Sequence, residues 1–235
     1  MRPQHYLSVA GSFIYPEWRE FFVRRYVFGK GPYPYVCRVR TPTGTTSLTL
    51  YCPEDCYTVQ EIFGLHCYRA KHELVFVDFG ANIGVSAAYF LSRNRDAFVY
   101  CFEPLPENVE RLRRNLAPFE GRYRIEEVAV ADYDGEIEFR VERTGRYSGI
   151  ENQQGDLRRF PCVDANRVLT SILRTHGRID LLKVDVEGAE TLFLPRLEPQ
   201  VLEKLTVVCV EGRDVLTSPR FRRSKSVSGV LRYTA

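Results

Sequence analysis

The fold of this chain is decided by the stretch Val75-Phe76-Val77-Asp78-Phe79-Gly80-Ala81-Asn82-Ile83-Gly84. Its short apolar beginning is typical of a strand that is buried on both faces of a parallel sheet. The run 85–91 that follows it is compatible with a helix. Strand, glycine turn and helix together predict the start of a βαβ unit, which binds a nucleotide-like ligand at the carboxyl end of its strand.

The spacing of the glycines narrows the class of ligand. A dinucleotide fingerprint has glycine at its first, third and sixth positions, but counting from Gly80 the third and sixth are Asn82 and Val85. A phosphate-binding Walker loop has a Lys-Ser/Thr pair after its last glycine, whereas Val85 and Ser86 follow Gly84. The pattern that remains is Asp-x-Gly-x-Asn-x-Gly. The alternative to a ligand-binding loop is that this stretch is only a tight strand-to-helix turn in some other α/β protein.

Length and composition indicate an ordinary globular protein. The 235 residues are 44% apolar and 27% charged, which fits one α/β domain with an extension. The net charge of +3 is too small to indicate nucleic-acid binding. No run of 18 apolar residues is present, so no membrane span is predicted, and the first five residues lack the apolar core of a secretory signal.

The seven cysteines are an odd number and suggest free thiols. Cys101 and Cys209 fall in predicted core strands, where cysteine behaves as a small hydrophobe. Cys52 and Cys56 lie in a turn-like stretch, but no second pair with metal-ligand spacing follows them. We therefore expect no metal site and a reducing, cytoplasmic compartment.

Residues 1–74 are expected to form an extension that packs on the core. The segment 16–26 is predicted to be an amphipathic helix with one aromatic face, formed by Trp18, Phe21, Phe22 and Tyr26. This face has two interpretations: it packs against the main domain, or it caps the acceptor pocket or contacts a second copy. The segments 35–40 and 47–51 predict a β-hairpin, and 58–64 predicts a short helix ended by Gly64.

Five core strands are predicted, and an acid lies at or directly after the end of each. The strands cover residues 75–79, 98–102, 125–130, 179–184 and 205–210, and the acids are Asp78, Glu103, Asp132, Asp185 and Glu211. The carboxyl ends of parallel strands form the crevice in which such sheets bind ligands. Residues 144–158 are predicted to be a mobile surface loop, and Asp164 is expected to cap a helix that runs to about His176.

The assembled motifs resemble the FkbM family of methyltransferases. The resemblance rests on the blocks 77–84, 102–104, 128–132 and 182–190, and it covers roughly residues 35–211. The most specific block is Lys183-Val184-Asp185-Val186-Glu187-Gly188-Ala189-Glu190. The family implies a class I, Rossmann-like fold and methyl transfer from S-adenosylmethionine, typically to a hydroxyl oxygen. Family acceptors include sugars and natural-product scaffolds.

The resemblance and the chemistry of S-adenosylmethionine assign roles to the strand-end residues. The glycine loop is expected to hold the methionine end of the cofactor, through Asp78, Gly80, Asn82 and Gly84. Glu103 suits both ribose hydroxyls, 23 positions after Gly80. Asp132 suits the adenine amino group, with the backbone near Val130 and Ala131 along the ring, and Asp185 suits the cofactor's ammonium group.

A hydroxyl acceptor loses a proton during methyl transfer, which calls for a general base. Lys183 and Asp185 lie two positions apart in a strand and should face the same side, and Glu187 follows within reach of the crevice. We expect either Glu187 or Asp185 to be the base. Lys183 is a candidate for orienting the acceptor, and an ion pair with a neighbouring acid is its alternative role.

The carboxyl-terminal end is short, because only 24 residues follow Glu211. Sheets of this class close with an antiparallel hairpin, and residues 226–234 are expected to supply one of its strands but not two. An uncovered edge favours pairing. We therefore expect a homodimer through that edge, or coverage of it by the basic run Arg220, Arg222, Arg223 and Lys225.

The sequence thus predicts an S-adenosylmethionine-dependent O-methyltransferase that acts on a hydroxyl of a small molecule, sugar or glycan. Its expected fold is a mostly parallel doubly wound sheet over residues 75–235, preceded by the 1–74 extension. A non-catalytic methyltransferase-like binding protein is one alternative, motivated by the incomplete hairpin and the aromatic amino terminus. A nucleic-acid methyltransferase is a weaker alternative, because no Asn-Pro-Pro-Tyr or Asp-Pro-Pro-Tyr block follows the fourth strand.

Overall fold

The computed structural model describes residues 13–27, 31–70, 73–142, 155–225 and 228–235. The strands in chain order are β1 (Tyr35–Thr41), β2 (Gly44–Leu50), β3 (Val75–Phe79), β4 (Phe98–Phe102), β5 (Tyr123–Glu126), β6 (Ala129–Ala131), β7 (Gly135–Val141), β8 (Asp156–Asp164), β9 (Ile179–Val184), β10 (Leu205–Val210), β11 (Arg222–Lys225) and β12 (Leu231–Thr234). The α-helices are α1 (Trp18–Phe22), α2 (Pro53–Val59), α3 (Val85–Leu91), α4 (Pro106–Leu116), α5 (Ala165–His176), α6 (Glu190–Phe193) and α7 (Pro199–Leu202). Segments Val23–Val27 and Gln60–Gly64 are π-helical, and Ala117–Phe119 and Leu194–Arg196 are 3₁₀-helical.

A seven-stranded sheet with the order β11-β12-β10-β9-β3-β4-β5 forms the centre of the protein. The five strands from β10 to β5 are parallel, and β12 runs antiparallel to both of its neighbours. Every residue of β3 is buried, as its apolar sequence predicts for a strand with neighbours on both sides. The predicted α/β class with a mostly parallel sheet is confirmed.

The strand order reverses between β3 and β9. From β3 the chain proceeds outward through β4 to β5, whereas β9 is followed by β10 on the other side. A reversal of this kind separates the loops at the carboxyl ends of the two central strands and opens a crevice between them. The sheet topology therefore brings the loop after β3 and the loop after β9 to one switch point.

The third predicted strand, 125–130, is wrong as a single element. β5 ends at Glu126, and β6 belongs to a separate three-stranded sheet with the order β6-β8-β7. β7 and β8 form a long antiparallel pair whose inner side chains build an apolar cluster, and Ala129 and Ala131 pack into that cluster. Tertiary packing therefore takes β6 out of the central sheet.

The loop predicted over 144–158 is wrong at its carboxyl end, where strand β8 lies instead. This strand begins at Asp156, and residues 144–154 of the predicted loop lie outside the described residues. At its end the expected helix cap is confirmed, since Asp164 Oδ1 accepts a hydrogen bond from the backbone amide of Arg167 at 2.7 Å. Helix α5 ends at Gly177, which adopts a left-handed conformation.

The expectation of an incomplete carboxyl-terminal hairpin is wrong, because the chain supplies both strands. β12 lies between β10 and β11, and its Tyr233 is 2% exposed. The basic run forms the edge strand β11, where Arg222 and Arg223 are exposed and Arg223 pairs with Asp214. β12 thus covers β10, the basic segment covers β12, and the new edge carries charges of the kind that discourage edge-to-edge pairing.

The amino-terminal hairpin is confirmed and packs on the core. One continuous apolar cluster contains Val39 and Leu48 of the hairpin together with Phe90 of α3 and Val99 of β4. The buried Asn115 side chain joins the hairpin to the glycine loop, since it donates to the carbonyls of Thr49 at 3.1 Å and Ile83 at 2.8 Å. The division of the chain at residue 74 stays a prediction.

The two amino-terminal helices differ from their predicted forms. The α-helical part of the first one ends at Phe22 and continues as a π-helix, and Trp18 is 39% exposed instead of sharing the buried face. Phe21 is buried and stacks on Tyr15 with ring centroids 4.2 Å apart. The second helix begins at Pro53 rather than Thr58, because the Asp55 carboxylate accepts the amides of Tyr51 and Cys52 and caps it.

All seven cysteines are free thiols. Within the described part of the chain, no group of three or more His, Cys, Asp and Glu side chains is arranged to hold a metal ion. No helix in that same part is both long and apolar enough to cross a membrane.

Candidate functional site

A cleft opens at the switch point, at the carboxyl ends of β3, β9 and β10. Three parts of the chain line this switch-point cleft. The strand-end loops contribute Gly80, Asn82, Lys183, Asp185, Glu187 and Glu211, the amino-terminal extension contributes Asp55, Thr58, Glu61 and Tyr68, and the closing hairpin contributes Ser228 and Val230. The topology therefore brings together most of the predicted site residues on β3 and β9.

Gly80 is required by the contact between the two central loops. Its φ is +80°, in the left-handed region, and a Cβ built on it lies 1.8 Å from the carbonyl oxygen of Asp185. The Asp185 amide in turn donates to the Phe79 carbonyl at 3.1 Å. The space beside Gly80 is therefore filled by the backbone of the loop after β9, and only glycine lets the two loops approach so closely.

The backbone amides of the glycine loop are satisfied within the protein. The amides of Gly80 and Ala81 both donate to the Phe102 carbonyl at 3.0 Å, and the Asn82 amide donates to Glu103 Oε2 at 2.8 Å. At Gly84 a Cβ would lie 2.6 Å from a methyl carbon of Leu112, so this glycine serves packing against α4. The loop therefore does not form a cradle of free amides for an anion.

Lys183 and Asp78 form a buried ion pair behind the cleft. Lys183 is 2% and Asp78 0% exposed, and Nζ lies 3.0 Å from Asp78 Oδ1. The same ammonium lies 3.4 Å from Asp185 Oδ2 and donates to the Gly80 carbonyl at 2.8 Å. The contact with the Gly80 carbonyl is a hydrogen bond, and the contacts with the two carboxylates are ion pairs. The alternative role of Lys183, an ion pair with neighbouring acids, is observed, and its acceptor-orienting role stays a prediction.

The electrostatics of this pair follow from burial and mutual attraction. Burial raises the pKa of Asp78, while the Lys183 ammonium and the Ser86 hydroxyl, 2.5 Å from Asp78 Oδ2, oppose the rise. For Lys183 burial lowers the pKa, but the carboxylates of Asp78 and Asp185 outweigh it and the net pKa is raised. Asp78 is fully enclosed and contacts Lys183 and the Ser86 hydroxyl of α3, and its contact with the cofactor stays a prediction.

Asp185 and Glu187 lie on the open side of Lys183. The Asp185 side chain is 29% exposed, and Glu187 is exposed with a φ of +48°, which is uncommon for a residue other than glycine. Glu190 is buried and accepts the Gly188 amide at 2.8 Å, so it holds the loop after β9 in shape. The structure therefore brings both predicted bases to the cleft.

Glu103 follows β4 and is 4% exposed. Its carboxylate accepts hydrogen bonds from the amides of Asn82 and Leu105 and from the side chain of Asn108, at 2.8, 3.2 and 3.2 Å. Burial raises its pKa to about 7, against the effect of these donors. A carboxylate has about four acceptor positions, and three of those on Glu103 are taken by these donors. One position is left for a ribose hydroxyl, and this contact stays a prediction.

The three predicted adenine contacts lie on the separate small sheet. Val130 and Ala131 are buried in β6, and Asp132 follows β6 and is ion-paired with Arg196. The expectation that Asp132 shares the edge of the central parallel sheet with the other four acids is wrong, because β6 pairs with β8 in the separate three-stranded sheet. Asp132 and the two β6 residues do not line the described switch-point cleft, and their role at the adenine stays a prediction.

Sequence reasoning gave no role to Glu211 and Tyr68. The Tyr68 hydroxyl donates to Glu211 Oε2 at 3.1 Å, across 143 sequence positions. Glu211 was visible in the sequence as a strand-end acid, but no local pattern indicates that Tyr68 meets it. The sequence offered segment 16–26 as a cap over the acceptor pocket, whereas the part of the extension that lines the described cleft is α2 and the segment after it.

Comparison with known proteins gives a family match. The model of the methyltransferase FkbM domain matches residues 78–212. The 2-O-methyltransferase NoeI of Sinorhizobium fredii is 30% identical over 167 residues, covering 64% of this chain and 62% of that protein. The AMB antimetabolite synthetase AmbE of Pseudomonas aeruginosa is 27% identical over 236 residues, covering 83% of this chain but 11% of that protein.

A solved structure is similar as well. The methyltransferase FkbM from Methylobacillus flagellatus aligns with a TM-score of 0.48 and 16% identity, over 78% of this chain and 54% of that one. The chain thus spans less than two thirds of the length of NoeI and of AmbE.

Proposed function

Because the chain belongs to the FkbM family of methyltransferases, we propose that it transfers a methyl group from S-adenosylmethionine to a hydroxyl oxygen of a small molecule, sugar or glycan. The switch-point cleft is the site of this reaction. The similarity to NoeI, a 2-O-methyltransferase, supports an oxygen acceptor.

The charge of the switch-point cleft supports this proposal most directly. Asp185, Glu187, Glu211 and Glu61 line it, and Lys183 is the one basic side chain among its described lining residues. The ammonium of Lys183 is already neutralised by Asp78 and Asp185. Such a cleft favours a cationic ligand, and S-adenosylmethionine carries a sulfonium and an ammonium group. The donor set therefore fits this cofactor better than a phosphate-bearing nucleotide.

The residues of the cleft hold and orient the two reactants. When bound, S-adenosylmethionine supplies an electrophilic methyl carbon. Asp185 faces the cationic methionine end, Asn82 lies on the glycine loop beside it, and Glu103 offers its remaining acceptor position to the ribose. Holding an acceptor oxygen in line with the methyl carbon supplies much of the rate enhancement of such a reaction.

The amino-terminal extension bounds the acceptor side of the cleft in this proposal. Thr58, Glu61 and Tyr68 form that wall, so the extension contributes to acceptor selection through α2 and the segment after it rather than through the aromatic helix α1. The complete closing hairpin removes one of the two observations that motivated a non-catalytic binding protein. Neither the net charge of +3 nor the acidic cleft favours a nucleic-acid acceptor.

A methyl-transfer assay with product mass spectrometry tests the proposed function. The protein is incubated with S-adenosylmethionine bearing a deuterated methyl group and a panel of hydroxylated small molecules, glycans and oligonucleotides. We expect a labelled methyl ether on a hydroxylated acceptor and none on the oligonucleotides. Labelling of oligonucleotides alone, or cofactor binding with no labelled product from any acceptor, contradicts the proposal.

A further inference from the structure

Glu211 lies at a position in the cleft that none of the roles assigned so far uses. It follows β10 directly, and its backbone amide donates to the Val184 carbonyl at 2.9 Å, which sets it beside the loop that carries Asp185. The residue keeps solvent-accessible surface and lines the cleft, while its carboxylate is partly enclosed at the contact with Tyr68. Tyr68, buried in the opposite wall, donates its hydroxyl to Oε2 at 3.1 Å. The carboxylate is therefore fixed in orientation and reachable from the cleft.

Charged and titratable groups face Glu211 from every element around it. Asp185 and Lys183 face it from β9 and its loop, Glu61 faces it from the π-helical segment after α2, and Cys67 and Tyr68 face it from the following loop. Lys183 is compensated by its own ion pairs. Glu211 therefore lies in a mainly negative surrounding, with one neutral hydroxyl donor holding its carboxylate.

We propose that Glu211 is the general base that receives the proton of the acceptor hydroxyl, and that Tyr68 is its positioning residue. This inference rests on the proposed function. The O–H bond of the acceptor breaks, and the proton passes to a carboxylate oxygen of Glu211. The electron pair left on the acceptor oxygen forms the new bond to the transferred methyl carbon, and the pair of the broken carbon–sulfur bond stays on sulfur.

Glu211 suits this role better than the two bases predicted from the sequence. Asp185 lies 3.4 Å from the Lys183 ammonium, so its carboxylate is engaged in an ion pair. Glu187 is held in an exposed left-handed turn. The negative charge of Asp185 raises the pKa of Glu211 to about 7, with burial adding to the rise and Lys183 opposing it. A base with a pKa near the working pH combines availability with proton affinity.

Two measurements on the full chain test the proposal. The first is a ¹³C NMR titration of the glutamate carboxyl groups without cofactor, with the Glu211 signal assigned from the Glu211→Gln variant. We expect Glu211 to titrate near pH 7, and we expect the Tyr68→Phe variant, which keeps the ring but loses the stabilising donor, to titrate higher. A Glu211 signal that titrates at an ordinary glutamate pH near 4.5 overturns the proposal.

The second measurement is the pH dependence of methyl transfer. The wild-type rate should rise with pH through the pKa of Glu211, because only the carboxylate form accepts a proton. Glu211→Gln should lower kcat by about 10²–10⁴-fold with a much smaller change in cofactor Kd. Tyr68→Phe should move the rising limb to higher pH. Glu127→Gln, an exposed glutamate after β5, is the matched control and should change none of these quantities.

The outcomes separate this proposal from the one on which it rests. Wild-type activity that persists in full in Glu211→Gln, with an unshifted pH profile, overturns the role of Glu211 and leaves the methyltransferase assignment standing. A wild-type protein that methylates no acceptor contradicts the proposed function, and the role of Glu211 fails with it.

Discussion

At the scale of single residues, the buried pair of Lys183 and Asp78 shapes the site more than any exposed charge. Two charges that are 2% and 0% exposed are expensive to remove from water, and their attraction offsets this cost only with good geometry and further hydrogen bonds. Here Ser86 and the Gly80 carbonyl supply those bonds. The pair therefore ties β9 to the glycine loop and is sensitive to the loss of either partner.

Replacing Lys183 by methionine should destabilise the protein strongly. The variant leaves the Asp78 carboxylate buried without its cation, a loss that typically costs about 3–5 kcal/mol. Urea unfolding at neutral pH measures the change. Arg196→Met is the matched control, because it breaks the partly exposed pair with Asp132 and should cost about 0–1 kcal/mol. Equal losses for the two variants would contradict the account of the buried pair.

Glu103 should make stability depend on pH in a defined direction. Its pKa is raised to about 7 in the folded protein, so between pH 4.5 and 7 the folded state keeps a proton that the unfolded chain releases. The stabilisation is therefore complete below pH 4.5 and is lost as the pH rises through 7, a change of about 3 kcal/mol. Urea unfolding at pH 5 and pH 8 measures the free energy of unfolding at each pH. The difference between the two values should be smaller for Glu103→Gln than for wild type, and it should be unchanged for Glu127→Gln.

At the scale of elements, strands and helices with a strong periodic pattern were predictable from the sequence, and short pairing strands were not. β3, β4, β9 and β10 are apolar runs that only a buried position accommodates, and the β1–β2 hairpin alternates cleanly. β6 has three residues and exists because β8 offers it a partner 33 positions away, which no local pattern encodes. β11 has four residues, and its polar, basic sequence does not indicate a strand although its partner β12 is the next strand along the chain.

The contact between the loops after β3 and β9 gives a prediction with an internal control. Gly80 and Gly121 have nearly the same φ, +80° and +79°, but a Cβ on Gly121 meets nothing within 4 Å. Gly121→Ala should therefore lower the free energy of unfolding only by the cost of a left-handed alanine, about 1–2 kcal/mol. In Gly80→Ala the added Cβ also overlaps the Asp185 carbonyl, so the free energy of unfolding should fall further. Cofactor affinity should fall as well. Thermal unfolding and calorimetry measure both effects, and equal losses would show that the loops do not restrain each other.

At the scale of the whole molecule, the switch-point cleft joins residues from both ends of the chain. The sequence located its strand-end acids, because acids after buried strands are visible in one dimension. It could not locate the walls, since Tyr68 and Val230 reach the cleft only through the packing of the extension and the closing hairpin. The closing hairpin therefore belongs to the site as well as to the sheet.

Removing that hairpin should affect both association and cofactor binding. A chain that ends at Phe221 exposes the edge of β10 and loses the buried Val230 and Tyr233. Exposed edges tend to pair, so light scattering should show association that the full chain lacks. Cofactor affinity should fall as well, because Ser228 and Val230 line the cleft. A truncated chain that stays monomeric with full affinity would contradict this account of the hairpin.

Isothermal titration calorimetry with S-adenosylmethionine tests most directly that the acidic switch-point cleft holds the cationic cofactor. The wild-type protein should bind one cofactor per chain. Asp185→Asn, which removes a partly exposed charge that lines the cleft, should weaken binding by about 10-fold or more, the scale of a charge-assisted hydrogen bond. The exposed control Glu127→Gln should bind as wild type does. Absence of binding to the wild-type protein, or equal affinity in Asp185→Asn, would contradict the account.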